Sequence, residues 1–264
     1  MTEHTEPDAD AVPPAAPVLV EACVDTLESA LAARDGGAKR LELCDDLVEG
    51  GTTPSAGMIS IVCARAALPV VVLIRPRGGN FLYSRDELEV MRRDVEAARA
   101  LGASGVALGA LTADGEIDDD ALRPLLDAAR PMEVVFHRAF DLVPDPLRAL
   151  DDLIALGVDR VLTAGCASSA SEGAGTLARL VERAAGRIGI VAGGGITDES
   201  APGIVREGCV RELHLRGAEW VPSAMRRSRP DITFGKAYVP DDSGRLVTSA
   251  ERIGRVVRAC AGAG

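Results

Sequence analysis

The chain has 264 residues, a size that suits one (β/α)₈ barrel. Its formal net charge of −11 argues against nonspecific binding to nucleic acid or to an anionic membrane, since both require a basic surface. Hydrophobic residues make up 47% and aromatics only 3%, so the core must be built from Val, Leu, Ile and Ala, a vocabulary that suits parallel strands buried on both faces.

The start, Met1 to Pro17, is acidic and rich in Pro and Ala, without the basic and apolar regions of a signal peptide; a disordered tail is expected over 1–17. No run of about 18 uncharged apolar residues follows, so no membrane-spanning helix is expected. The cysteines Cys23, Cys44, Cys63, Cys166, Cys209 and Cys260 are scattered, which favours reduced thiols in a cytoplasm over a disulfide framework.

From Val18 onward a short apolar run, a turn and an amphipathic segment recur. The runs are Val18–Val24, Arg40–Cys44, Val70–Arg75, Gly105–Gly109, Glu133–Arg138, Arg160–Thr163, Ile188–Ala192 and Glu212–Leu215. Ser84–Ala100 between the third and fourth reads clearly as a helix, with Leu88, Met91, Val95 and Ala98 on one face. Gly36-Gly37, Gly102, Gly157 and Gly208 fall where helices should end. Strand–helix alternation implies a parallel sheet with right-handed crossovers, either open or closed. No GxGxxG follows the first run, so no nucleotide cofactor is indicated, and eight units favour a single-domain α/β (β/α)₈ TIM barrel. The expected body is 18–216. The remainder, 217–264, reads as an irregular C-terminal extension ending in a helix near Thr248–Ala261.

In such a barrel the side chains at the C-terminal ends of the strands form the site. A period of two places Glu21 and Cys23 on one face of the first strand, and Glu42 and Cys44 on one face of the second. Arg75 ends the third run, His137-Arg138 ends the fifth with Asp141 just beyond, and His214 lies in the eighth. Lone charges there would be costly unless paired, so their convergence suggests a polar pocket. Glu21, Glu42 and Arg75 could instead be a buried ion network, and Arg138 could merely anchor a helix.

Cys23 and Cys44, on adjacent strands about 4.8 Å apart, could hold one Cu(I), which prefers thiolates; either could equally be a small buried hydrophobe. Zinc is a poorer fit, for want of a compact ligand cluster. Gly193-Gly194-Gly195 follows the seventh strand, where backbone amides can bind phosphate, or where glycines simply make a tight turn. Arg75 and Arg77 carry guanidinium groups suited to a carboxylate or phosphate, though Arg77 could be a solvated loop charge. Two functions therefore stand side by side. One is Cu(I) binding at Cys23 and Cys44. The other is an enzyme in which Glu21, Glu42 and His137 exchange protons on a small anionic metabolite held by Arg75, Arg77 and the three glycines, with Arg138, Asp141 and His214 also binding it.

Several of these stretches resemble the CutC family: E-x-C-V-D-x-x-E-S-A from Glu21 to Ala30, Leu41–Cys44, EGGTTPS at Glu49–Ser55, IRPRGG at Ile74–Gly79, GALTADGEID at Gly109–Asp118, FHRAFD at Phe136–Asp141, DRVLTAG at Asp159–Gly165 and GGGIT at Gly193–Thr197. The resemblance implies a TIM barrel, a cytoplasmic location, assembly into homodimers or homotetramers, and copper homeostasis through a Cu(I) site whose ligands match Cys23 and Cys44. This chain departs from the family pattern at Asn80, Ala164, Val191-Ala192 and the run after His214, Leu215-Arg216-Gly217-Ala218-Glu219.

Overall fold

The computed structural model describes residues 17–227, 244–261 and 263, so the tail expected over 1–17 lies, but for Pro17, outside the described residues. Eight parallel strands close into the expected barrel: β1 (Leu19–Val24), β2 (Arg40–Leu43), β3 (Val70–Leu73), β4 (Gly105–Leu108), β5 (Glu133–Phe136), β6 (Arg160–Thr163), β7 (Gly189–Gly193) and β8 (Glu212–Leu215), with β8 paired back onto β1. Helices α1 (Leu27–Asp35), α2 (Ala56–Arg65), α3 (Arg85–Ala100), α4 (Asp119–Ala129), α5 (Pro146–Leu156), α6 (Ala174–Ala184) and α7 (Ala201–Gly208) follow the first seven strands in turn. Short 3-10 turns lie at Leu47–Glu49 and Arg138–Leu142, and β9 (Ala218–Pro222), β10 (Gly244–Thr248) and α8 (Ala250–Cys260) complete the described elements.

Local chemistry sets the helix ends. Ser84 caps α3 in a reciprocal capping box with Glu87, two orphan backbone donors being satisfied at once. Asp145 caps α5, Pro146 opens it, and Gly157 ends it in the left-handed conformation that costs a glycine nothing. At α7 the structure departs from expectation. Gly208 is the last helical residue, and the left-handed position falls to Cys209 at φ 54°.

Four strands end earlier than the sequence suggested. β2, β3, β4 and β5 stop at Leu43, Leu73, Leu108 and Phe136, so Cys44, Arg75 and His137 stand just beyond their strands. The region expected to be irregular from Gly217 onward contains a two-stranded antiparallel sheet, β9 with β10. α8 then packs against α7 and α1 and takes the place of the eighth barrel helix.

The core has two compartments. A large shell of Val, Leu, Ile and Ala fills the space between strands and helices. Inside the barrel a smaller cluster contains Val71, Leu73, Ala107, Val135, Leu162 and Val191, together with Cys23 and Cys44. The N-terminal end of the barrel is closed by charge. Arg40, 4% exposed, donates to Glu21 and to Glu212, while Arg160 donates to Glu212 and to Glu133. A chain of five alternating charges thereby plugs the bottom, and functional chemistry is left to the opposite rim.

Candidate functional site at the C-terminal rim

The site is assembled by strand register. Cys23 on β1 lies beside Glu42 on β2. Cys44, just past β2, turns inward, and its sulfur stands 3.6 Å from that of Cys23. Glu42 accepts from the Cys44 thiol at 3.3 Å, and its carboxylate lies 3.6 Å from Nε2 of His214. On the other face of that imidazole, Nδ1 meets Glu21 at 2.8 Å. His214 therefore bridges the bottom plug to the rim. It fits there because Gly193, its register partner on β7, has no side chain; a Cβ would stand 3.4 Å from that of His214 and only 2.6 Å from Leu162 Cδ1.

Proximity in so dry a place redistributes protons. The hydrogen bond from Cys44 and the pairing with His214 outweigh burial at Cys23 and pull its thiol down to about 5, whereas Cys44, hydrogen-bonded to that thiolate and buried, is pushed well above the ordinary thiol range. Burial raises Glu42 to about 8, with the Cys23 and Glu21 charges adding to the effect and His214 opposing it. Burial opposes protonation of His214, but Glu42, Cys23 and Glu21 more than offset it and hold the imidazole cationic. The result is a thiolate–imidazolium pair with a thiol and a carboxyl beside it.

These groups open into a cavity of about 250 Å³ lined by Cys23, Glu42, Cys44, Arg75, His137, Arg138 and His214, with Leu47, Gly50, Leu73, Phe81 and Leu162 supplying apolar walls. Seven of the residues singled out in the sequence thus come together. Arg75 is held by backbone carbonyls, Nη1 donating to Glu49 and Gly51 and Nη2 to Gly79, while its Nε finds no partner. His137 accepts from the Ala139 amide through Nδ1, and its Nε2 is likewise unpartnered. Burial and the nearby Arg75 charge keep this imidazole neutral, with its pKa down at about 3.

The other candidates lie elsewhere. Glu21 sits below the cavity as partner of Arg40 and His214. Arg77 points away, donating to Glu87 and to the carbonyls of Gly78, Asn80 and Leu82. Asp141 fastens the β6 end, accepting from the Thr163 hydroxyl at 2.5 Å, the Ala164 and Cys166 amides, and Arg138 Nε at 2.7 Å. Gly193, Gly194 and Gly195 are not among the cavity's lining residues; the Gly194 carbonyl accepts from the Ala170 amide, and a Cβ on Gly194 would stand 3.3 Å from Arg138 Cζ. Sequence reasoning missed Arg40 and Glu212, although charged residues opening the second and eighth runs were a usable sign of the bottom plug. It also missed Phe81 and Gly109. A Cβ on Gly109 would come within 2.6 Å of His137 Cε1, a requirement that no local pattern announces.

A (β/α)₈ barrel whose rim joins two thiols, a carboxyl and an imidazole is the class of protein this geometry defines; Cys23, Glu42 and Cys44 can each present one ligand atom within 4.8 Å of the others. The CutC family model matches residues 18–219, and the chain belongs to the CutC family. It is 45% identical over 235 residues to the copper homeostasis protein cutC homolog of Homo sapiens, covering 89% of this chain and 86% of that protein. With the family protein CutC of Chromobacterium violaceum identity is 46% over 236 residues, at 89% and 95% coverage. A solved CutC structure from Streptococcus agalactiae superposes with a TM-score of 0.71 at 38% identity, covering 75% of this chain and 98% of that one. Among the described residues no helix is long and apolar enough to cross a membrane.

Proposed function

We propose that this protein takes part in copper homeostasis by binding Cu(I) through Cys23 and Cys44. The observation that carries this reading is the pair of sulfurs 3.6 Å apart at the floor of an open cavity. Soft thiolates select Cu(I), and the lowering of the Cys23 thiol to about 5 by Cys44 and His214 reduces the usual proton cost of metal binding. Cys23 and Cys44 would hold the ion, with Glu42 near enough to offer a third ligand atom. The acidic and imidazole groups then serve as the polar wall of the entrance.

Anaerobic competition with a Cu(I) chelator tests this. The intact protein should take about one Cu(I) per chain, and Cys23→Ala/Cys44→Ala should take none. Unchanged stoichiometry in the double variant would overturn the reading.

The second reading, an enzyme acting by acid–base chemistry on a small anionic metabolite, is favoured by the elevated Glu42 carboxyl and the cationic His214, two proton donors beside the lowered Cys23 thiol as acceptor. It expects Glu42→Gln to abolish turnover of such a metabolite while Cys44→Ala retains it. Loss with the cysteine alone would count against it.

A further inference from the structure

Arg75 is an anomaly in a barrel that otherwise pairs its buried charges. It is 6% exposed, yet no carboxylate among the described residues reaches its guanidinium; its partners are three backbone carbonyls. Buried cations without a counter-charge are expensive, and so are buried donors without acceptors. Here both costs coincide, because Arg75 Nε has no partner. His137, 5% exposed, repeats the pattern. Since its Nδ1 accepts from the Ala139 amide, the ring proton belongs on Nε2, and that N–H is also unpartnered.

Arg75 and His137 both line the cavity, with Nε and Nε2 just beneath its surface. Phe81 touches both, its ring centroid 5.2 Å from the Arg75 Cζ and 4.9 Å from the His137 ring. Arg75 adjoins the sulfurs through Gly51. Its carbonyl accepts from Arg75 at 2.7 Å, and a Cβ on it would stand 3.7 Å from Cys44 Sγ. Two N–H donors, one of them cationic, call for an oxyanion. Their closeness to Cys44 limits the distance between that oxyanion and whatever group lies at the sulfurs.

We propose that Arg75 and His137 form an oxyanion subsite beside the sulfur pair, occupied by the carboxylate of a small thiol that brings Cu(I) to Cys23 and Cys44. The metal end rests on the copper reading above; the oxyanion end stands on the donors alone. The exchange is balanced without any redox partner. Two copper–sulfur bonds to the carrier thiolates break, two to Cys23 and Cys44 form, and copper stays Cu(I); the Cys44 proton leaves on one carrier as its thiol, and the second carrier departs as its thiolate.

The experiment compares anaerobic Cu(I) uptake by the full chain from two complexes, Cu(I)–mercaptoacetate and Cu(I)–mercaptoethanol, which share a sulfur donor and differ in the carboxylate. Uptake from the mercaptoacetate complex should be favoured by roughly tenfold or more, the ratio that one charge-assisted hydrogen bond supports. His137→Phe and Arg75→Lys should each bring that ratio close to unity, and free acetate should compete with the first complex only. Cysteine-dependent uptake with no preference for mercaptoacetate, or a preference that survives both variants, overturns the subsite and leaves the copper reading standing. Uptake that ignores the cysteines overturns the copper reading instead. In that event, calorimetric binding of acetate to the metal-free chain, lost in His137→Phe, supports the donors, and binding unaffected by the variant overturns them.

Discussion

Replacing Glu21 by Gln isolates the energetics of the barrel's lower plug. Glu21 and Arg40 are 2% and 4% exposed, so the pair is sealed from water, and Gln preserves shape while removing the charge. Breaking a buried pair by neutralising one partner costs about 3–5 kcal/mol, because the other charge is left behind. Arg40 keeps Glu212 at 2.6 Å, which places the expected loss near the lower end, about 3 kcal/mol. For a chain of this size each kcal/mol moves Tm by about 2–4 °C, so thermal unfolding followed by circular dichroism should show a drop of about 6–12 °C. Glu133→Gln is the control. It removes a carboxylate from the same ionic chain at a position 49% exposed, where a pair is worth under about 1 kcal/mol. Burial raises the Glu21 carboxyl, but His214 and Arg40 more than compensate and hold it well below its usual 4.5. Its contribution is therefore fully present above pH 4.5 and is lost as the pH falls further, so wild type and variant should converge in acid. Should Glu21→Gln cost no more than Glu133→Gln, or should the gap persist unchanged in acid, the account of the plug is wrong.

Glu42 has the opposite sign. Its carboxyl is raised from 4.5 to about 8, so the stability tied to its proton is present at low pH and declines as the pH climbs through that window. Glu42→Gln should flatten this decline in chemical denaturation between pH 5 and 8, and an unaltered slope would refute it. Gly173→Ala should destabilise by about 1–3 kcal/mol, as overpacking does, since the new Cβ would lie 1.8 Å from the Ala164 carbonyl oxygen; a Tm within error of wild type would show that the β6–α6 loop yields freely. Arg77→Ala should cost less than about 1 kcal/mol, because its ion pair with Glu87 is 38% and 29% exposed. It should also leave Cu(I) stoichiometry unchanged, whereas a lost ion would place Arg77 in the site after all.

The sequence by itself determined the repeating unit. Eight apolar runs separated by amphipathic segments have few topological solutions, and the period of two along a strand puts Glu21 with Cys23 and Glu42 with Cys44. Those are local properties of the chain. What it could not determine is depth along the barrel axis. Glu21 and Cys23 share a face, yet the stagger of neighbouring strands carries one carboxylate down to Arg40 and brings the other, Glu42, level with the sulfurs. Equally out of reach was who partners whom across the barrel. Arg75 and Arg77 look alike in IRPRGG, but only folding reveals that Arg77 finds Glu87 while Arg75 donates to three carbonyls and, among the described residues, to no carboxylate. The rim's composition was written in the strands. Its charge balance, and the unpartnered donors of Arg75 and His137, arise from contacts between residues far apart in sequence, which tertiary structure alone decides.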